Sequence, residues 1–142
     1  MKLVEVVSTP DTAADVATTA FDYAKSLGKT PVMAKDTPGF IVNRLLVPYI
    51  GQAMAMVDRG EATPQDIDTA MMLGAGHPMG PLHLADYVGH DTNLAILQGW
   101  KDAHPEEPAF IVPECLKKLV KDGKLGRKTG EGFYKWEGNK KL

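Results

Sequence analysis

The chain opens on an apolar run, Leu3-Val4-Glu5-Val6-Val7, whose β-branched residues predict a short strand. Thr9-Pro10-Asp11 then reads as a helix start, with Val16, Ala20, Tyr23, Ala24 and Leu27 along one side and Gly28 as the stop. A second short strand is predicted from Thr30 to Ala34. Residues 1–36 therefore form one strand–helix–strand unit, too little to build a sheet core by itself.

The pattern changes at Phe40. From there to Val57 nearly every helical face is apolar, which predicts a helix buried on several sides at once. Thr37 suits the cap, Pro38 the first helical position, and Gly39 the close approach of another backbone. Asn43 then falls in the second turn, a single uncharged amide in an apolar stretch. A buried amide needs partners for its donors and its acceptor. A satisfied structural amide and a hydrogen bond offered to a ligand are both open readings of it.

The remainder reads as helical. Thr63-Pro64-Gln65-Asp66 makes a capping box for a helix to about Leu73, Gly74 to Gly80 is a turn, and Pro81 begins a short helix with Leu82, Leu84, Ala85 and Val88. Asp91 is the expected cap of the next helix, through Lys101. A proline-rich connection from Pro105 to Pro113 leads to a last helix, Glu114 to Lys121. A loop from Gly123 to Gly132 follows, and Phe133-Tyr134-Lys135-Trp136 reads as an extended closure. No apolar run reaches the roughly 18 residues of a membrane span.

Composition narrows the function classes only modestly. With 142 residues, a formal charge of −2 and acids and bases mixed along the chain, there is no case for nucleic acid or a membrane surface as partner. Cys115 is the lone cysteine, expected as a small buried apolar residue in a reducing compartment. His77, His83, His90 and His104 have no partner at metal-ligand spacing, so no metal is expected. Two glycine-rich stretches imitate nucleotide loops and fail physically. Gly74-Ala75-Gly76 with Gly80 follows a helix where a strand is required, and Lys128 is preceded by Arg127 where a P-loop needs glycine. The lysines of this end, Lys117 to Lys128, read as solvated surface, and Asp86 reads as a structural acceptor.

The run TPGFIVNRLLVPY, with MKLVEVV before it, GAGHPMGPLHLADYVGHD in the middle and GRKTGEGFYKW near the end, resembles the C-terminal domain of the 3-hydroxyacyl-CoA dehydrogenases, the short-chain and 3-hydroxybutyryl-CoA enzymes among them. The blocks keep the family's order and span nearly the whole chain. The resemblance implies a mainly α fold, the helical dehydrogenase domain of the 6-phosphogluconate-dehydrogenase C-terminal type. Residues 1–36 would be a remnant of the NAD-binding Rossmann domain, and 37–142 the substrate-binding and dimerisation domain. It implies oxidation of an acyl-CoA 3-hydroxyl with NAD as cofactor, an acyl-CoA substrate, a homodimer, and a further N-terminal NAD-binding domain as partner. The compartment implied is intracellular, the mitochondrial matrix for a eukaryotic source and the cytoplasm for a bacterial one.

Residue by residue, the resemblance makes Asn43 the catalytic and substrate-contacting amide. Pro78, Met79 and Leu84 would wall the acyl pocket, and Lys128 would contact NAD. It places the catalytic His–Glu pair upstream of Met1, so this chain alone is expected to be inactive, lacking base and dinucleotide fingerprint. His83 and His90 depart from the Glu and Leu common in relatives, with an effect expected at a surface or interface. The competing expectation is a stand-alone helical dimerisation or acyl-CoA-binding module without catalysis, whose apolar helix from Phe40 pairs with a second copy.

Overall fold

The structure, a computed structural model, describes all 142 residues, in two compact units, Met1–Leu45 and Leu46–Leu142.

The first unit holds β1 (Leu3–Ser8), α1 (Ala14–Ser26), β2 (Thr30–Lys35) and the first turn of α2 (Val42–Asp58). β1 and β2 pair in parallel, in register from Leu3 opposite Thr30 to Ser8 opposite Lys35, with α1 as the crossover between them. Val6, Ala24 and Ala34 are buried. Two strands cannot cover the apolar side of α1, so Val16, Tyr23 and Leu27 stay more than half exposed. The helix starts later than Thr9-Pro10-Asp11 predicts. Thr9 N donates to Thr12 Oγ1 (3.0 Å) and Asp11 N to Thr9 Oγ1 (3.2 Å), a side-chain-closed turn that competes with helix in that stretch.

The long apolar helix also begins later than expected, at Val42. Phe40 takes a left-handed φ of 51°, and Phe40 N donates to Thr37 O, so Thr37 to Phe40 form a turn ahead of the helix. Thr37 therefore caps nothing, and Pro38 is outside the helix. Pro48 sits inside α2 and offers no N–H to the carbonyl four residues back.

The second unit contains the rest of α2, then α3 (Pro64–Ala75), α4 (Pro81–Val88), α5 (His90–Ala103) and α6 (Glu114–Lys121). A 3-10 turn at Arg127–Thr129 and a hairpin of β3 (Trp136–Glu137) with β4 (Lys140–Lys141) close the chain. The extended closure is thus displaced: residues 132–134 are bends between bridge residues Glu131 and Lys135, and the two-residue ladder begins only at Trp136. Val47, Ile50 and Met54 of α2 pack in one core with Ile67, Leu82, Ala85, Leu97, Leu116, Tyr134 and Trp136. Ile111 and Leu97 lie beside Gly51 of α2.

Caps explain where these helices begin. Thr63 Oγ1 accepts from Asp66 N (3.2 Å) with Pro64 at the first position, as the local pattern predicts. Other ends are capped from far away. Asp58, at the end of α2, accepts from Glu114 N (2.7 Å) and Cys115 N (2.8 Å) and so starts α6. Asp68 does the same for α4, accepting from Leu82 N and His83 N at 2.8 and 2.9 Å. Asp91 does not cap α5, because Gly89 precedes a helix that starts at His90.

Candidate functional site

Asn43 lies in the first turn of α2, in the first unit, and is exposed. The expectation of a buried amide in a second turn is corrected on both counts. The late helix start moves Asn43 forward, and the stretch around it is open: Ile41 and Val42 are 40% exposed and Leu45 70%. What fixes this turn is Glu5 of β1, which sequence reading passed over. One oxygen, Oε1, accepts from Ile41 N (2.8 Å) and Val42 N (3.0 Å), satisfying two of the helix's free donors with a negative charge at its positive end. Only a motif anticipating contact across 36 residues of chain could have found it.

In the second unit, two buried carboxylates organise the polar interior. Asp86 is 0% exposed and accepts from Phe133 N (2.8 Å), Tyr134 N (2.9 Å) and Trp136 Nε1 (2.8 Å), with His90 Nε2 at 2.7 Å. Burial pushes its pKa up, but the hydrogen bonds from His90, Trp136, Phe133 and Tyr134 outweigh that and hold it below the ordinary carboxylate range. The ionised carboxylate makes His90 Nε2 the donor. Asp68, 3% exposed, accepts from Tyr134 Oη at 2.6 Å as well as starting α4. Burial first and Asp68 second push the Tyr134 phenol far up, so it stays a neutral donor.

Glycines make these approaches possible. A Cβ on Gly132 would strike the Asp86 carboxylate, one on Gly80 the Asp68 carboxylate, and one on Gly126 the Asp86 backbone. His90 is fully buried, edge-on to Phe133 at 5.2 Å, so its expected place at a surface or interface is corrected. His83 is half-buried, 5.3 Å from the Trp136 ring. Asp86 is the structural acceptor that its sequence context indicates.

The clamped segment carries Lys128. Gly126 N donates to Glu131 O, Leu125 N to Thr129 Oγ1, and Arg127 lies over the Tyr87 ring at 4.1 Å. Lys128 Nζ pairs with Asp91, donating to Oδ2 at 2.6 Å, and both side chains are about half exposed. Pro78, exposed, and Met79, half-buried, lie in the turn between α3 and α4, and Leu84 is half-buried on α4. These three and Lys128 all belong to the second unit, whereas Asn43 belongs to the first. Gly76 ends α3 in a left-handed conformation and Gly80 precedes α4, so this glycine turn joins two helices and is no dinucleotide loop.

A parallel strand–helix–strand unit thus precedes a body of packed helices. The chain belongs to the 3-hydroxyacyl-CoA dehydrogenase family. Residues 39–136 match the family's C-terminal domain and residues 1–37 its NAD-binding domain. The chain is 56% identical over 137 residues to the mitochondrial hydroxyacyl-coenzyme A dehydrogenase of Mus musculus, covering 96% of this chain and 44% of that protein. It is 45% identical to a probable 3-hydroxybutyryl-CoA dehydrogenase of Deinococcus radiodurans, over 96% of this chain and 49% of the relative. The 3-hydroxybutyryl-CoA dehydrogenase structure from Escherichia coli superposes with a TM-score of 0.91 at 42% identity, covering 100% of this chain and 30% of that one. The chain thus spans less than half the length of these curated relatives. No helix is long and apolar enough to cross a membrane.

Proposed function

We propose that this chain is the substrate-binding and dimerisation part of an NAD-dependent 3-hydroxyacyl-CoA dehydrogenase, which oxidises (S)-3-hydroxyacyl-CoA to 3-oxoacyl-CoA in fatty-acid β-oxidation. The family match over residues 39–136 carries the reading. The helical domain proper begins at residue 37, after a Rossmann remnant over residues 1–36. Mitochondrial and bacterial relatives support the matrix or the cytoplasm as its compartment, according to source.

In this reading Asn43 offers a neutral, oriented donor to the substrate oxygen, and its exposure leaves the carboxamide free for that contact. Glu5 holds the backbone immediately before Asn43 and puts a carboxylate in the same neighbourhood. The His–Glu pair expected upstream would then need only its histidine from preceding residues, with Glu5 orienting the ring and stabilising the imidazolium formed when it takes the hydroxyl proton. Bound NAD would supply the hydride acceptor for oxidation at C3. Pro78, Met79 and Leu84 supply apolar surface for the acyl chain. The exposed Met72 and Leu73 of α3 and Tyr87 and Val88 of α4 support pairing with a second copy.

The residues present fit one edge of the cofactor. Lys128 offers a half-exposed ammonium on a clamped loop, while the phosphate-cradling glycine turn after a strand is not among these residues. The test is a chimera in which this chain replaces the matched residues of the Mus musculus relative. It should fold, dimerise and reduce NAD with a 3-hydroxyacyl-CoA. A folded chimera that binds acyl-CoA without turnover would leave the non-catalytic module as the better account.

A further inference from the structure

Lys128 is one of several surface lysines paired with a carboxylate, and its side chain also lies against backbone. It crosses Gly89, where a Cβ would come within 3.1 Å of both Cε and Nζ, and it ends on the Asp91 carboxylate. Gly89 has φ 106°, a conformation that favours glycine by backbone, and its lack of a side chain lets Lys128 pass close by. The backbone of Lys128 is fixed independently. Gly126 is wedged on Asp86, Arg127 Nη1 donates to Asn139 Oδ1 (2.5 Å) and lies on Tyr87, and Gly130 N returns to Arg127 O. Asp91 is held ionised, its pKa lowered chiefly by the hydrogen bond from Lys128.

We propose that Asp91 is a positioning residue for cofactor binding, holding the Lys128 ammonium at one point so that it meets a neutral hydroxyl or carboxamide edge of the nucleotide and not its phosphates. This rests on the dehydrogenase reading. An ammonium free of Asp91 is a mobile point charge that any phosphate would attract. One already compensated by Asp91 has little net charge to offer an anion, but keeps N–H donors in a defined direction. The pair thus trades electrostatic pull for geometry.

Two measurements test this. In the 142-residue chain, trace amine acylation mapped by peptide mass should find Lys128 less reactive than exposed Lys2, and Asp91→Asn should remove the difference; equal reactivity in the unsubstituted chain overturns the pairing. In the chimera, Asp91→Ala should raise KM for NAD about fivefold with kcat within about twofold, and Asp91→Glu should recover most of it. KM should also change little with added salt. An unchanged or lowered KM in Asp91→Ala, or a steep salt dependence, overturns the proposal. If the chimera has no turnover, NAD affinity by calorimetry replaces KM. Asp91-dependent binding then supports the positioning role while the enzyme reading fails, and absence of NAD binding overturns both.

Discussion

Removing the Asp86 carboxylate should unlock the C-terminal loop. Asp86→Ala leaves four N–H donors, on Phe133, Tyr134, Trp136 and His90, without their acceptor, and all but Phe133 belong to buried residues. Each buried donor left unmet costs about 1–3 kcal/mol. The full sum is not reached, because alanine also removes a buried charge whose desolvation costs several kcal/mol, and water enters the space left. The expected net loss is therefore about 3–5 kcal/mol, that of breaking a buried polar pair. Urea unfolding followed by tryptophan fluorescence reads the right region, because Trp100 and Trp136 both lie in the second unit. With a slope of about 2 kcal/mol per molar urea, the midpoint should fall by about 2 M. His90→Leu removes one donor of the four and keeps the space filled, so it should cost clearly less. A midpoint shift under about 0.5 M for Asp86→Ala, or a larger loss for His90→Leu than for Asp86→Ala, would refute the clamp.

Four further outcomes follow from the same geometry. Because the folded pKa of Asp86 is depressed, its stabilisation is complete above the unfolded value near about 4 and is lost as pH falls through the lower folded value. The urea midpoint of the unsubstituted chain should thus drop on acidification below about pH 4, and that of Asp86→Asn should drop less. Gly126→Ala places a Cβ against the Asp86 backbone at φ 90°, and should yield insoluble protein or one melting well below the parent; a parental melting temperature would contradict the close approach. The Cys115 thiol, pushed up to about 12 by burial and then by Asp58, should react with a disulfide reagent near pH 8 only slowly until urea unfolds the chain. Asn43→Ala in the chimera should lower kcat by about 10²–10³ through a loss of about 2.7–4 kcal/mol of transition-state stabilisation. Its melting temperature should stay put, since the side chain is exposed; unchanged kinetics would take Asn43 out of the site.

What could be read along the chain was whatever a few neighbouring residues decide. Thr63-Pro64-Gln65-Asp66 begins α3 as its spacing says, because the donor and acceptor lie three residues apart. The two β-branched runs are strands, the helical segments after Gly60 appear in order, and the ordered motif blocks identify the family. Even local reasoning failed where two local signals competed. At Thr9-Pro10-Asp11 the threonine hydroxyls close a turn instead of a helix. At Thr37-Pro38-Gly39-Phe40 a left-handed Phe40 ends the approach to α2 that the cap pattern promised.

The tertiary structure alone decided which carboxylates matter. Glu5, Asp58, Asp68 and Asp86 look in sequence like ordinary acids of strands and helices. Each finds its donors on backbone that lies 14 to 57 positions away. Exposure was likewise beyond reach: α2 is apolar on nearly every face, yet its first turn, with Asn43, is open while Ile50 and Met54 are buried. The physical reason is one of range. Dihedral preference and i to i+3 hydrogen bonds are written in adjacent residues, whereas a buried charge survives only where distant chain supplies donors for it, and that supply exists only after folding.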